Sequence, residues 1–189
     1  MAARLSRRTA NSRIRIPSSQ RIIPMSVHSV ERLFAYNKWA WIRVFPSLEA
    51  IPEEEYFAER PFFWESLHGL AAHGYGAERV WLQRIGGESP SKRPAPTDFA
   101  SFAELRTAWE SLWSEWQDYV DSLTARGLEE SLHYRVSEGH EMAIRMDDVL
   151  RHVFNHATEH RSQMTPVLAQ LGHPTEPLDY GRFAATNRP

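Results

Sequence analysis

The sequence predicts an all-α protein, a four-helix bundle with a short β-hairpin before the last long helix. Two features lead to this prediction. Four segments place apolar residues at steps of three, four and seven, which is the repeat of an amphipathic helix. Residues 132–146 change to an alternation of apolar and polar side chains around Glu138, Gly139 and His140, which is typical of two short strands joined by a turn.

The first two predicted helices cover residues 27–48 and 61–85. Ser26 precedes the first helix as its cap, and Pro46, which lacks a backbone N–H, should kink or end it. The second helix opens with Pro61 and closes at two glycines. A loop rich in Ser and Pro, residues 88–97, follows this helix, and its length predicts a rim or a lid.

The other two predicted helices flank the hairpin. The third begins at a capping box formed by Ser101 and Glu104, and it should stop near Gly127. The fourth begins with Asp147 or Asp148 as its N-cap and ends at Gly172. Pro166 removes one hydrogen bond from its last third, so we expect a bend there.

Charge divides the chain into two parts. Residues 1–24 carry six arginines and no acid, so we expect a disordered basic extension, either a transit peptide or the product of a start codon assigned too far upstream. Residues 25–189 should form a single four-helix domain. The expected location is the cytoplasm, or an organelle if residues 1–24 are a transit peptide.

Composition excludes several classes of function. Residues 25–189 hold sixteen basic residues against twenty-four acidic ones, which argues against nucleic-acid binding. No apolar run approaches the length of a membrane span. Cysteine is absent, so the chain can form no disulfide, offers no thiol nucleophile, and would have to bind a metal through nitrogen and oxygen.

A histidine pair in the last predicted helix is the strongest chemical feature. His156 and His160 are four residues apart, so on a helix their imidazoles lie one above the other and can converge on one ion. Val153 and Val167 continue the same stripe, which turns both rings toward the core. The alternative is a local hydrogen bond between two of the nine histidines, and a third ligand would distinguish the two cases.

His73 is the candidate third ligand. It lies three residues after Leu70 and four before Ala77, at the border of the buried face of the second predicted helix, whereas His68 points to another side. The alternative is a core histidine with its own hydrogen-bond partner. Gly74 and Gly76 lower helix stability beside His73, and we interpret them as room for a neighbouring helix or a substrate.

Three stretches resemble the DinB/YfiT-like family of metal-dependent four-helix proteins: YNKWA at 36–40, AHGYGAERVWL at 72–82, and RHVFNHATEHRSQ at 151–163. The resemblance extends from about residue 27 to residue 179. Its most specific part is the last stretch, and the first histidine of the family pattern matches His73, five residues before Glu78. The resemblance implies that His73, His156 and His160 bind a divalent ion, zinc or nickel, in agreement with the helical spacing.

The resemblance also implies a class of reaction. The family's activities are the hydrolysis of small substrates and the transfer of a low-molecular-weight thiol to electrophiles, or an isomerisation that such a thiol assists. Because the chain has no cysteine, a sulfur nucleophile must come from a cosubstrate. The alternative from another class is a non-catalytic, stress-related bundle in which a structural metal holds the helices together.

Residues around the pair allow further interpretations. HATEH at 156–160 matches the H-x-x-E-H signature of a zinc peptidase, but only twenty-nine residues follow it, so a peptidase is the weaker alternative. We interpret Glu159 as part of a solvated helix face, and it stays a possible catalytic residue. His152 could join the ligands or hydrogen-bond a loop or substrate. Asn155 and Arg161 should pack the hairpin and helix ends.

The number of aromatic residues predicts an assembly. Seven tryptophans are more than one thin bundle is expected to bury, so we expect a homodimer formed through helix faces.

Overall fold

The computed structural model describes residues 24–61, 64–136 and 139–187, so the predicted basic extension at 1–24 falls almost wholly outside the described residues. Within these ranges the chain has seven α-helices, a 3-10 turn at Pro96–Asp98 and one two-stranded sheet: α1 (Val27–Ala50), α2 (Glu53–Phe57), α3 (Leu67–Ile85), α4 (Phe102–Asp121), α5 (Ala125–Glu129), β1 (Ser131–Arg135), β2 (Glu141–Arg145), α6 (Met146–Gln170) and α7 (Tyr180–Thr186).

The four long helices pack together, which confirms the predicted helical bundle. Helix α1 contacts α4 and α6, and α3 contacts the same two helices. Large aromatic side chains fill the space between them: Trp41 of α1 and Trp109 of α4 have ring centroids 4.3 Å apart, and both are completely buried. Burial of such rings is a large hydrophobic contribution to the stability of the bundle.

The hairpin lies where the alternation predicts it. Strands β1 and β2 pair antiparallel, with Ser131 opposite Arg145, and Gly139 has a φ of 90° in the connecting turn. Strand β2 runs directly into α6, so the predicted N-cap is wrong. Asp147 lies inside the first turn, where its carboxylate accepts hydrogen bonds from the Arg145 side chain and the Met25 backbone N–H.

The start of α3 differs from the prediction by six residues. The helix begins at Leu67 and not at Pro61, because Glu65 adopts a left-handed φ of 63° that interrupts a helix. Ser66 then caps the helix, and its Oγ accepts the Gly69 N–H at 2.9 Å. The short helix α2, which the periodicity did not predict, precedes this segment.

Two other helix ends were also predicted imperfectly. Helix α1 continues through Pro46 to Ala50, because a proline near the end of a helix removes a single hydrogen bond. Helix α4 ends at Asp121, and Gly127 belongs instead to α5, which Thr124 caps by accepting the Gly127 N–H. The Ser101 cap of α4 is confirmed, with its Oγ accepting the Glu104 N–H at 3.3 Å.

Most of the tryptophan surface is absorbed within one chain. Trp41, Trp109, Trp113 and Trp116 are buried, and the other three tryptophans are partly buried. The homodimer therefore stays a prediction, and the tryptophans leave less exposed apolar surface for an interface than the composition indicates. Among the described residues, every helix is too short or too polar to span a lipid bilayer.

Candidate metal centre

Three histidines from two helices converge at one point. His73 comes from α3, and His156 and His160 come from α6; one ring nitrogen of each lies within 4.8 Å of those of the other two. The Nε2 atoms of His156 and His160 are 2.9 Å apart. The ring of His73 is 4.6 Å from that of His160, centroid to centroid. The structure thus brings together the three histidines that the sequence predicts as ligands.

The three rings differ in their exposure. His73 and His160 are 6% and 3% exposed, whereas 27% of the His156 side chain is exposed. Two of the rings therefore lie inside the bundle, and the third faces solvent at the edge of the cluster.

Burial keeps the inner imidazoles neutral. Desolvation, followed by the charges of His160, Arg93 and His156, lowers the pKa of His73 to about 3. Desolvation and the charge of His156 lower the pKa of His160 to about 4, although Gln163 and Glu159 oppose this shift. Both rings are therefore neutral near pH 7, and a neutral imidazole is the form that binds a metal ion.

The arrangement fits a divalent transition-metal ion. Two nitrogen ligands about 2.0–2.1 Å from a tetrahedral zinc ion lie roughly 3.3 Å from each other. The 2.9 Å between the Nε2 atoms of His156 and His160 is close to that value, and His73 supplies a nitrogen from the facing helix. Imidazole ligands suit zinc and nickel, and the absence of cysteine leaves nitrogen as the main donor.

Two side chains outside the long helices hold His73. The Trp64 ring stacks on the imidazole with centroids 3.7 Å apart and planes 16° from parallel. The Arg93 guanidinium donates to His73 Nδ1 at 3.2 Å. Neither residue was predicted from the sequence: Trp64 lies in the stretch wrongly assigned to the second helix, and Arg93 lies in the loop predicted as a rim or lid.

A cavity of about 410 Å³ adjoins the cluster. It reaches His73 and His156, and the loop between α3 and α4 forms one of its walls. Its lining is completed by Gly76, Ala77, Val80, Trp81, Arg84, Pro90, Ser91, Lys92 and Arg93. A small molecule in this cavity would lie directly beside two of the three histidines.

Two glycines of α3 allow close packing around His73. A Cβ at Gly74 would lie 3.2 Å from the rings of Trp41 and Trp109, so its absence makes room for the core aromatics. A Cβ at Gly76 would lie 3.2 Å from the Pro94 carbonyl oxygen, so its absence lets the loop lie against α3. The close approach that these glycines predict is thus made by neighbouring helices and by the loop.

Glu159 and His152 lie on the outer side of His156. The Glu159 carboxylate is 61% exposed and lies 3.5 Å from His156 Nδ1, the ring nitrogen opposite the one that faces His160. The ring of His152 stacks on His156 at 5.3 Å and meets the Trp81 ring edge-on at 5.3 Å. His152 is outside the convergent group of three.

A second polar cluster, formed by Asn37, Glu78 and Arg161, lies next to the histidines. Arg161 is buried and donates to Asn37 Oδ1 and Thr158 Oγ1, so the prediction that it packs the hairpin and helix ends is wrong. The Asn37 Nδ2 in turn donates to Glu78 at 2.9 Å. Burial raises the pKa of Glu78, whereas the hydrogen bonds from Asn37 and Trp41 and the charge of Arg161 oppose this shift.

The sequence is similar to known proteins over most of its length. The model of the DinB family matches residues 25–188. Over 159 residues, the chain is 25% identical to Protein DinB of Bacillus subtilis (strain 168), an alignment that covers 80% of this chain and 91% of that relative. Since the family model matches far more than half of the sequence, the chain belongs to the DinB family.

Proposed function

We propose that this protein is a metal-dependent enzyme that acts on small molecules, with a zinc or nickel ion held by His73, His156 and His160. The observation that carries the proposal is the convergence of three imidazoles at the edge of a cavity, with the inner two neutral. Membership of the DinB family supports it.

Each side chain has a task in the proposed site. His73 and His160 offer buried neutral nitrogens, and the stacked Trp64 ring keeps the His73 imidazole in one orientation. Glu159 can accept a hydrogen from His156 Nδ1, which leaves the Nε2 lone pair directed at the cluster. A divalent ion bound here would polarise an oxygen or lower the pKa of a bound water or thiol.

Two reactions fit this site, the transfer of a low-molecular-weight thiol and hydrolysis. The cavity has the size of an ordinary small-molecule site. For thiol transfer, the sulfur must arrive with a cosubstrate, because the chain has no cysteine.

Two alternatives have less support. A purely structural metal would have a closed shell of ligands, whereas His156 is partly exposed and borders a cavity. A peptidase of the H-x-x-E-H type needs its glutamate as a general base near the ion. Glu159 instead approaches the outer nitrogen of His156.

Metal analysis of the purified protein tests the ligand set. We expect about one ion per chain in the wild type and a loss of stoichiometric metal in His73→Ala, His156→Ala and His160→Ala, with helical circular dichroism retained. His152→Ala is the matched control, since it removes an imidazole one turn away on the same helix, and it should keep its metal. Full metal content in all three ligand variants would refute the assignment.

A reaction screen tests the enzymatic part. Zinc-loaded and nickel-loaded protein would be incubated with several low-molecular-weight thiols and an electrophile, and separately with small esters and amides. Thiol consumption or hydrolysis that His160→Ala abolishes and His152→Ala retains would support the proposal. A metal-loaded protein that is inert across both sets would favour the structural-metal alternative.

A further inference from the structure

We propose that the cavity beside His73 and His156 binds an anionic oxygen-bearing group of the substrate, a carboxylate or a phosphate, through Arg84, Lys92 and Arg93. This inference rests on the proposed function and names the substrate class of the same site.

The charge of the cavity lining is opposite in sign to the net charge of residues 25–189. Residues 25–189 carry more acidic than basic residues. Three basic side chains nevertheless line this cavity, and none of the described residues that line it is acidic. A concave site lined by one sign of charge concentrates its field and attracts counter-charged ligands. A divalent ion on the neighbouring histidines would strengthen that field further.

Aromatic rings hold two of the three cations in place. The Arg84 guanidinium lies over the rings of Trp81 and Tyr134, with 4.7 and 4.4 Å to the centroids. The Arg93 guanidinium lies 5.5 Å from the centroid of the Trp64 ring. Stacking restrains a guanidinium while the N–H groups in its plane can still pair with an oxyanion. The rings thus restrain the orientation of both guanidinium groups, and Arg93 is the one that reaches the histidine cluster.

The contact between Arg93 and His73 links this site to the histidine cluster. A guanidinium can only donate, so His73 Nδ1 must accept with its lone pair. A neutral imidazole has one such lone pair. If Nδ1 of His73 binds the ion, its lone pair is no longer available to Arg93. If Nε2 binds the ion, the ring proton is on Nδ1, which then cannot accept a hydrogen bond. In both cases Arg93 loses this partner, and an anion in the cavity that Arg93 already lines can replace it.

Calorimetric titration of the full-length protein tests the inference. The metal-loaded and metal-free forms are each titrated at low ionic strength with three probes: succinate, inorganic phosphate and the neutral succinamide. We expect one or both anions to bind the metal-loaded protein and succinamide not to bind. The tighter of the two anions identifies the substrate group as a carboxylate or a phosphate. Binding should also shift the NMR resonance of the Trp81 indole N–H, because Trp81 lines the cavity.

Charge variants locate the anion. Arg93→Gln should weaken anion binding about tenfold or more, the effect of losing one charge-assisted hydrogen bond, and Arg93→Lys should retain part of the affinity. Arg126→Gln is the matched control: it removes the same charge from a side chain that is 91% exposed on α5, and it should bind like the wild type.

Several results would overturn the inference: no anion binding, equal binding of succinamide, an unshifted Trp81 resonance, or equal weakening by Arg126→Gln. Metal content measured on the same samples separates the two proposals. Stoichiometric metal without anion binding overturns the anion site and leaves the metal centre standing. Anion binding at Trp81 in a protein that takes up no metal supports the anion site and refutes the metal centre.

Discussion

Helices α3 and α6 carry two polar clusters side by side, and the two are built from different chemical groups. In one, Asn37 bridges the buried Glu78 and Arg161, donating to the carboxylate and accepting from the guanidinium. In the other, His156 and His160 direct Nε2 atoms at each other across 2.9 Å beside His73. The first cluster combines complementary donors and acceptors, whereas the second gathers like groups.

The difference separates a structural network from a binding site. His160 and Arg161 are adjacent in sequence, so their side chains leave α6 about 100° apart. Arg161 turns toward Asn37 of α1, and His160 turns toward His73 of α3. Buried polar groups are ordinarily matched to partners inside the protein. A cluster of three imidazoles, in which the two buried members His73 and His160 have depressed pKa values, therefore points to a partner from outside.

The largest expected effect comes from removing one member of the cluster of Asn37, Glu78 and Arg161. Arg161→Ala leaves the buried Glu78 without the opposing charge, and loss of one partner of a buried ionic network costs about 3–5 kcal/mol. Urea unfolding should show this as a decrease in the free energy of unfolding. A double variant, Glu78→Leu with Arg161→Met, should be milder, because no uncompensated charge remains buried. A loss in Arg161→Ala no larger than that in the exposed control Arg126→Ala would contradict the comparison.

Binding of a metal ion to His73, His156 and His160 should stabilise the protein. Ligand binding to the folded state alone adds about 4 kcal/mol when the free ion is a thousandfold above its Kd. We therefore expect a chelator to lower the Tm of the metal-loaded wild type and to leave the Tm of His73→Ala unchanged. Arg161→Met, if folded, should still gain stability from the ion. An identical Tm with and without chelator in a stoichiometrically loaded wild type would argue against a shared ion.

The metal-free protein should lose stability in mild acid. The folded pKa values of His73 and His160, about 3 and about 4, lie below the ordinary 6.5. Between these limits the unfolded chain binds more protons, so the free energy of unfolding falls as the pH drops from about 6.5 toward 4. At about 1.4 kcal/mol per pKa unit, His160 contributes roughly 3 kcal/mol.

Chemical denaturation at several pH values measures this dependence. His160→Gln should reduce the slope and leave the part that His73 contributes, because glutamine does not titrate. An unchanged slope in that variant would show that His160 is not the source of the acid sensitivity.

The smallest effect is expected from Glu159. Its exposed carboxylate lies beside the outer nitrogen of His156, and a glutamine amide oxygen can still accept a hydrogen from that nitrogen. Glu159→Gln should therefore cost less than the roughly 10- to 100-fold in metal affinity or activity that loss of such a partner typically costs. His160→Ala should lose nearly all of both. A Glu159→Gln loss of about 100-fold in activity with metal retained, the size usual for a general acid or base, would contradict this and favour the hydrolytic, peptidase-like mechanism.

The sequence by itself determined the local features of this protein. The four-residue spacing put His156 and His160 on one face of a helix, and the apolar stripe put His73 at the border of another. The alternation around Gly139 located the hairpin. These features follow from periods of 3.6 and 2 residues, which the backbone imposes whatever the rest of the chain does.

Only the tertiary structure decided the contacts between distant segments. Glu65 adopts a left-handed conformation that moves the start of α3 to Leu67, and Trp64 then stacks on His73. Arg93 reaches the same histidine from a loop that crosses beside Gly76. Arg161 turns into the core because Asn37 of another helix meets it there. No periodicity encodes such contacts, because each depends on the path of a loop or on the packing of two helices.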